Sequence, residues 1–331
     1  MTGDDALVPG LVFGVTAIVV LGVLLASQRW RIVDVPDERS AHSAPTPTMG
    51  GIGISVGIAA GLLTAPVPAQ LRIALLLALA ILLVAVVDDL RQPLSVARKL
   101  AIQLAAAISW ALWAPQTQIQ LTTDVALAPG LLTLLITVSW LLWLMNVFNF
   151  MDGIDGFTSC QTIAMSVGLA LLLPIGSPLE SLPRIVIAAC LGFLLFNMPP
   201  ARIFMGDVGS LSLGFLAGVM VLSVAGNGIP LWLAAMPLTV YFVDTSYTVV
   251  RRFQRGENVL RAHKEHLYQQ LVHSGWSHLQ VDAAAIVVTG LFAAAAVFDT
   301  HGCQWQGLAC AAGGTLLLAA GLWWKECRRR V

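Results

Sequence analysis

Eleven apolar stretches divide this chain, at about 7–28, 50–65, 71–88, 99–114, 130–148, 157–174, 184–198, 208–225, 230–250, 281–298 and 305–324. A helix needs roughly 20 apolar residues to cross the hydrocarbon core of a bilayer. Within that core only a helix or a closed barrel satisfies its own backbone groups. The pattern therefore predicts an all-α fold, a polytopic transmembrane helical bundle of eleven spans. The second and seventh stretches are short, and the count becomes ten if one is re-entrant. No internal repeat or low-complexity segment is evident, so residues 1–331 read as one integral membrane domain. The first stretch follows Met-Thr-Gly-Asp-Asp, an acidic start unlike the basic start of a signal peptide, and is expected to be a retained helix.

Composition supports the membrane reading: 57% of residues are hydrophobic and 11% charged, against roughly 25% charged in a soluble domain. The net charge of zero gives no reason to expect nucleic acid as a partner. Placement says more than the total. With the N-terminus outside, sixteen of the 18 Lys and Arg residues fall on the inner side, and only Arg72 and Arg184 fall outside. That bias orients the bundle with its C-terminus in the cytoplasm. Acidic residues contribute little to orientation, yet thirteen of the 18 also lie inside, as do five of six histidines. Any chemistry is expected on that face. The five cysteines are scattered without a Cys-x-x-Cys pair and read as buried or idle thiols.

The inner acidic residues fall into three groups. Asp88 and Asp89 close the third stretch, where two carboxylates face the negative end of a helix. A divalent cation or a basic partner would relieve their repulsion; the plainer reading is a pair that marks the end of a span. Asn146-Val-Phe-Asn149-Phe-Met-Asp152-Gly-Ile-Asp155-Gly joins the fifth and sixth stretches. A helical turn there would put Asp152 and Asp155 on one face, and oxygen ligands at a helix break suit Mg²⁺. Alternatively the segment is a polar turn in which Asp155 caps the sixth helix. Asn197-Met-Pro-Pro-Ala-Arg202-Ile-Phe-Met-Gly-Asp207-Val-Gly-Ser precedes the eighth stretch. A helix start favours phosphate, Asp207 could hold a bridging metal, and Arg202 offers a bidentate donor; taken alone, the Gly-Asp pair reads equally as a turn and cap before the helix.

Three further segments carry candidates. Asp244 lies inside the ninth stretch, where a carboxylate is either a site residue or the partner of a nearby Arg. The loop from Arg251 holds Arg252, Arg255, Arg261, His263, Lys264, His266 and Tyr268, and fits phosphate or sugar hydroxyls better than zinc, for which no thiolate is near; the plainer reading is a solvated basic loop. The first inner loop, Asp34-Val-Pro-Asp37-Glu38-Arg39-Ser40-Ala-His42 through Pro45, Pro47, Gly50 and Gly51, is expected to form a rigid, close-packed lead into the second stretch.

Taken in this order, the Asp-Asp, Asn-x-x-Asn-x-x-Asp-Gly-x-Asp-Gly and Gly-Asp-x-Gly-Ser motifs resemble the polyprenyl-phosphate N-acetylhexosamine-1-phosphate transferases, over roughly residues 30 to 270. The resemblance implies a UDP-N-acetylhexosamine donor, an undecaprenyl phosphate acceptor, Mg²⁺ (or Mn²⁺) as cofactor, residence in the bacterial inner membrane with the site on its cytoplasmic face, and an assembly that could be a homodimer. It places Asp88 and Asp89 beside the lipid phosphate and metal, with Asp88 in some assignments a base. Asn149, Asp152 and Asp155 would line the nucleotide-sugar pocket, with Asp155 counted among the catalytic carboxylates. Asn197 matches a pocket asparagine, Asp207 the metal ligand, and His263 and His266 the histidine loop. Arg202 would bind substrate phosphate. His-Lys-Glu-His-Leu-Tyr differs from the histidine runs of the peptidoglycan and enterobacterial-antigen branches. With the Asp-Glu-Arg-Ser-x-His segment it is most similar to O-antigen-initiating members, which use GlcNAc or 6-deoxy relatives. A Mg²⁺-dependent membrane prenyltransferase would show paired Asp-x-x-x-Asp runs, which are absent. A secondary transporter would place its ionisable groups near the bilayer midplane.

Overall fold

The computed structural model describes residues 4–36, 44–90, 94–114, 118–258 and 263–328. Asp37, Glu38, Arg39, Ser40 and His42 of the first inner loop, and Arg261 of the basic loop, lie outside the described residues.

The helices among the described residues are α1 (Asp4–Trp30), α2 (Gly51–Thr64), α3 (Ala69–Leu90), α4 (Val96–Trp113), α5 (Leu131–Phe150), α6 (Phe157–Leu172), α7 (Ser181–Asn197), α8 (Gly206–Ala225), α9 (Leu231–Ala235), α10 (Thr239–Gln254), α11 (Leu267–His273), α12 (His278–Thr300) and α13 (Gln304–Arg328). Each apolar stretch coincides with one or more of them. Eight helical segments are long and apolar enough to cross a membrane, so the chain is a polytopic helical membrane protein. Two further apolar helices, α2 and α6, are shorter. The remaining long one, α4, carries Arg98 and Lys99 in its first turn.

Three expectations change. The seventh stretch is not short, because a 3-10 turn at Pro178–Glu180 runs into α7 and gives a 20-residue segment. The ninth is not one uninterrupted helix. Pro230 precedes α9, and Pro237 sits in a 3-10 turn, Met236–Leu238, that separates α9 from α10. Proline lacks the N–H that would carry the α-helical ladder through. The fold is also not purely helical. Val33–Asp34 (β1) pairs antiparallel with Thr46–Pro47 (β2), and Ile119–Gln120 (β3) with Ala126–Leu127 (β4).

Helix α8 forms the centre. Every residue from Val208 to Ala225 is buried, as expected of a helix apolar all round. It packs against α2, α3, α5 and α6. The crossing with α2 is backbone to backbone: a Cβ on Gly51 would lie 2.3 Å from the Gly209 Cα. Small residues permit such approach between helices in lipid. Leu76, Leu83, Leu112 and Leu316 are exposed on outer helices, where a bilayer rather than water would receive them. The first inner loop behaves as expected where it is described. β2 leads into α2, and Gly50 and Gly51 donate their N–H groups to the Phe204 and Met205 carbonyls at 2.9 and 3.0 Å. These bonds bring the starts of α2 and α8 to the end of α3.

Candidate active site

At the end of the bundle where α3 finishes and α8 begins, Asp88, Asp89 and Asp207 converge. Each offers a carboxylate oxygen, and these oxygens all lie within 4.8 Å of one another. Asp88 and Asp89 arrive as neighbours in the last turn of α3. Asp207 arrives through Gly206, whose φ of +72° lies in the left-handed region. A Cβ at Gly206 would sit 3.0 Å from the Thr48 hydroxyl and 3.5 Å from Asp89 Oδ2. A larger residue would wedge the acidic groups apart.

Lys99, in the first turn of α4, completes the cluster. Its Nζ lies 2.7 Å from Asp88 Oδ2 and 2.9 Å from Asp207 Oδ2. Along the sequence Lys99 reads as an orientation signal. The overlooked cue was its position, since a cation in the first turn of a helix opposes the dipole. Asp88 is buried, and its second oxygen, Oδ1, accepts the Leu94 N–H. Both of its oxygens are thereby held, which suits a positioning role better than proton removal. Asp89 is exposed and Asp207 half-buried. Oxygen ligands on an open, partly hydrated face fit a hard divalent cation.

The segment between α5 and α6 is a turn rather than a helix, so Asp152 and Asp155 do not share a helical face. Asn149 Oδ1 accepts from the Ser210 hydroxyl at 3.2 Å, tying α5 to α8. Asn146 Nδ2 donates to Gln103 Oε1 at 2.7 Å and binds α5 to α4. Loss of hydration pushes the Asp152 carboxyl up to about 7; the Thr158 hydroxyl opposes the shift and Asp207 adds to it. Asp155 does not cap α6. Gly156, at φ +80°, is the N-cap and has no side chain of its own to cap the helix with. Asp155 Oδ2 instead accepts the Ala201 N–H at 3.0 Å and lies 3.3 Å from His278 Nδ1. Asn197 is buried and joins the turn to the segment before α8: its Oδ1 accepts the Gly156 N–H at 3.0 Å, and its Nδ2 donates to the Ile203 carbonyl at 2.9 Å. Arg202 is directed elsewhere, donating to the Leu195 carbonyl at 2.6 Å with its guanidinium 4.9 Å over the Phe196 ring.

Asp244 is buried and resolves as an anchor. Its oxygens accept from the Leu267 N–H at 2.7 Å, the Tyr268 N–H at 3.1 Å and the Thr248 hydroxyl at 3.3 Å, and Oδ1 meets His266 Nδ1 at 3.2 Å. It thus caps α11 and orients His266. The Tyr268 hydroxyl donates to the Phe150 carbonyl at 3.0 Å, seating the histidine loop on the Asp152 turn. Glu265, where a further histidine would stand in the enterobacterial-antigen pattern, pairs with Arg252 at 2.9 Å and Arg255 at 3.0 Å. Both arginines also meet Glu257. These two cations hold the loop together rather than stand ready for phosphate.

The His263 ring lies 4.9 Å from that of His266. Burial, His266 and Arg252 together lower its pKa from 6.5 to about 4, so it is neutral at pH 7. The unfolded chain takes up this proton first. Stability is therefore full above about 6.5 and falls as pH drops toward 4. His263→Asn is expected to remove that acid-side loss in thermal melts between pH 4 and 7. It should introduce no new inflection near 6.5 in a pH–rate profile. A profile in which the wild type alone titrates near 6.5 would show His263 to be charged in function.

Residues 71–225, which span the three carboxylates, match the family model described as glycosyl transferase family 4. A probable undecaprenyl-phosphate N-acetylglucosaminyl 1-phosphate transferase of Bacillus subtilis is 30% identical, over 83% of this chain and 79% of that protein. A decaprenyl-phosphate N-acetylglucosaminephosphotransferase of Mycolicibacterium smegmatis is 31% identical, over 80% and 74%. A phospho-N-acetylmuramoyl-pentapeptide-transferase of Gloeothece citriformis is 33% identical, over 72% and 70%.

Proposed function

The chain belongs to the polyprenyl-phosphate hexosamine-1-phosphate transferases of glycosyl transferase family 4, and from that premise we propose that it moves N-acetylglucosamine 1-phosphate, or that of a 6-deoxy relative, from a UDP-sugar to undecaprenyl phosphate. The observation that carries the reading is the convergence of Asp88, Asp89 and Asp207 around Lys99. The relatives' names support N-acetylglucosamine and a polyprenyl phosphate. The sixteen-to-two distribution of basic residues supports a site on the cytoplasmic face. An O-antigen role rests on the His-Lys-Glu-His-Leu-Tyr segment and on a first-loop motif centred on residues 37–42.

In this reading one lipid phosphate oxygen attacks the β-phosphorus of the UDP-sugar. The bond from that phosphorus to the bridging oxygen breaks, UMP leaves, and a lipid diphosphate sugar remains. Two anions must approach, so neutralising charge is the main task. Asp207 and Asp89 would hold Mg²⁺, which supplies that neutralisation when bound. Lys99 keeps Asp88 and Asp207 in place and adds fixed positive charge beside them. Asp88, with both oxygens engaged, positions the acceptor; a phosphate monoester is already largely ionised at neutral pH and needs little help from a base. Asp152 and Asp155 line the nucleotide side, with the His263–His266 loop closing over it. His263, uncharged at pH 7, would contact hydroxyls rather than balance phosphate.

Purified protein with undecaprenyl phosphate, Mg²⁺ and radiolabelled UDP-GlcNAc is expected to give butanol-soluble label and UMP in equal amounts. The panel should include UDP-linked 6-deoxy sugars and UDP-N-acetylmuramoyl-pentapeptide. A folded preparation that labels lipid with none of them would sink the assignment.

A further inference from the structure

We propose that His278, in the first turn of α12, is a positioning residue for Asp155, and that through it α12 sets the affinity of the site for nucleotide. The inference rests on the reading of Asp155 as part of the nucleotide-sugar pocket.

One ring nitrogen meets two parts of the same residue. His278 Nδ1 lies 3.3 Å from the Asp155 backbone nitrogen and 3.3 Å from its Oδ2. Without a proton, Nδ1 accepts the Asp155 N–H; with one, it donates to the carboxylate. In either state the imidazole holds Asp155 against α12. The same oxygen also accepts the Ala201 N–H at 3.0 Å. Asp155 therefore sits between α12 and the segment that leads into α8, and its place in the turn is fixed by chain elements distant in sequence.

The second observation is Asp282. It follows His278 by four residues, which puts both on one face of α12. It is 1% exposed, and among the described residues neither carboxylate oxygen has a hydrogen-bond partner. An unpaired buried carboxylate is costly and calls for an explanation. It lies against the Asp155 turn, where a Cβ on Gly156 would come within 2.8 Å of Asp282 Oδ2. Asp282 also interacts electrostatically with both His278 and Asp155. A carboxyl group kept on this face at such cost biases the imidazole beside it and so acts on Asp155 at one remove.

The support is rigid independently of the ring. Ser277 and Gln280 form a reciprocal capping box at the start of α12. Substitutions at His278 therefore leave the helix start intact, and their effects report on the ring.

The test measures UMP binding by isothermal titration in the presence of Mg²⁺, on the full-length protein, with CMP and GMP as alternatives. Asn at position 278 places an amide atom where Nδ1 stands, and Gln places one near Nε2. His278→Ala is expected to weaken UMP about tenfold. His278→Asn should stay within about threefold of wild type, and His278→Gln should resemble Ala. All three should melt with the wild type. In an Asp155→Ala background, His278→Ala should cost nothing further. Unchanged UMP binding in His278→Ala would overturn the inference, as would equal loss in all three variants with a lowered melt, or effects that multiply with Asp155→Ala. If the wild type binds none of the three nucleotides, the nucleotide reading itself fails and the inference falls with it. Wild-type binding that His278→Ala leaves untouched sinks the inference alone.

Discussion

Asp207→Asn is expected to lower turnover by about 10³-fold, the scale on which removing one fixed partner of transition-state charge acts, without lowering the melting temperature in the absence of Mg²⁺. Asparagine keeps the shape and one acceptor oxygen, so the bond from Lys99 survives as a neutral-acceptor contact. What goes is the negative charge that Asp207 adds beside Asp89, whose carboxylate oxygens belong to the same 4.8 Å group. The apo protein loses repulsion and folds at least as well; the metal-loaded protein loses a ligand. The measurements are lipid-linked label at saturating donor, the Mg²⁺ concentration for half-maximal rate, and melts with and without Mg²⁺. Retained Mg²⁺-dependent turnover would remove Asp207 from the site.

Lys99→Met carries the second large effect, and it separates two quantities that usually move together. Lys99 contacts Asp88 at 2.7 Å and Asp207 at 2.9 Å, so it occupies, electrostatically, the space that a divalent cation would otherwise fill. Taking away one positive charge at about 4 Å strengthens the attraction of the acidic group for Mg²⁺. The half-saturating Mg²⁺ concentration is expected to fall by about tenfold, allowing for screening on a partly open face. Turnover is expected to fall by about 10²-fold, because the charge that develops as UMP departs loses a fixed positive partner. The Mg²⁺-free protein should also melt lower, as three carboxylates then share the site with less compensation. Lys99→Arg should not restore the wild-type rate, since a forked guanidinium does not reproduce a point charge between two oxygens. A Mg²⁺ requirement that rises or stays unchanged in Lys99→Met would show that lysine and metal do not compete.

Much of this was legible in the sequence, for a physical reason. Apolar runs of bilayer length have few alternatives to helix, so all eleven stretches fall on helices. Acidic residues that insertion does not require stood out against that background, and Asp88, Asp89 and Asp207 do meet. What could not be read was anything set by contact between distant segments. Lys99 looks like one basic residue among sixteen until α4 is packed against α3 and its side chain reaches Asp207 at the start of α8. Asp244 could have been a ligand or a pair for a local arginine; it serves α11 and His266 instead. Arg252 and Arg255 count as positive charge along the chain but are matched by Glu257 and Glu265 in space. The break in the ninth stretch was signalled by Pro230 and Pro237, whose effect the apolar character around them concealed.

The histidine loop is also fastened from α13. Lys325, itself buried, donates to the Glu265 carbonyl at 2.6 Å and lies 5.1 Å from the Tyr247 ring centroid, while Trp324 packs edge-on against Trp276. Helix α13 thereby reaches the loop that carries His263 and His266, so a truncation that removes α13 is expected to loosen that loop while leaving Asp88, Asp89 and Asp207 in the chain.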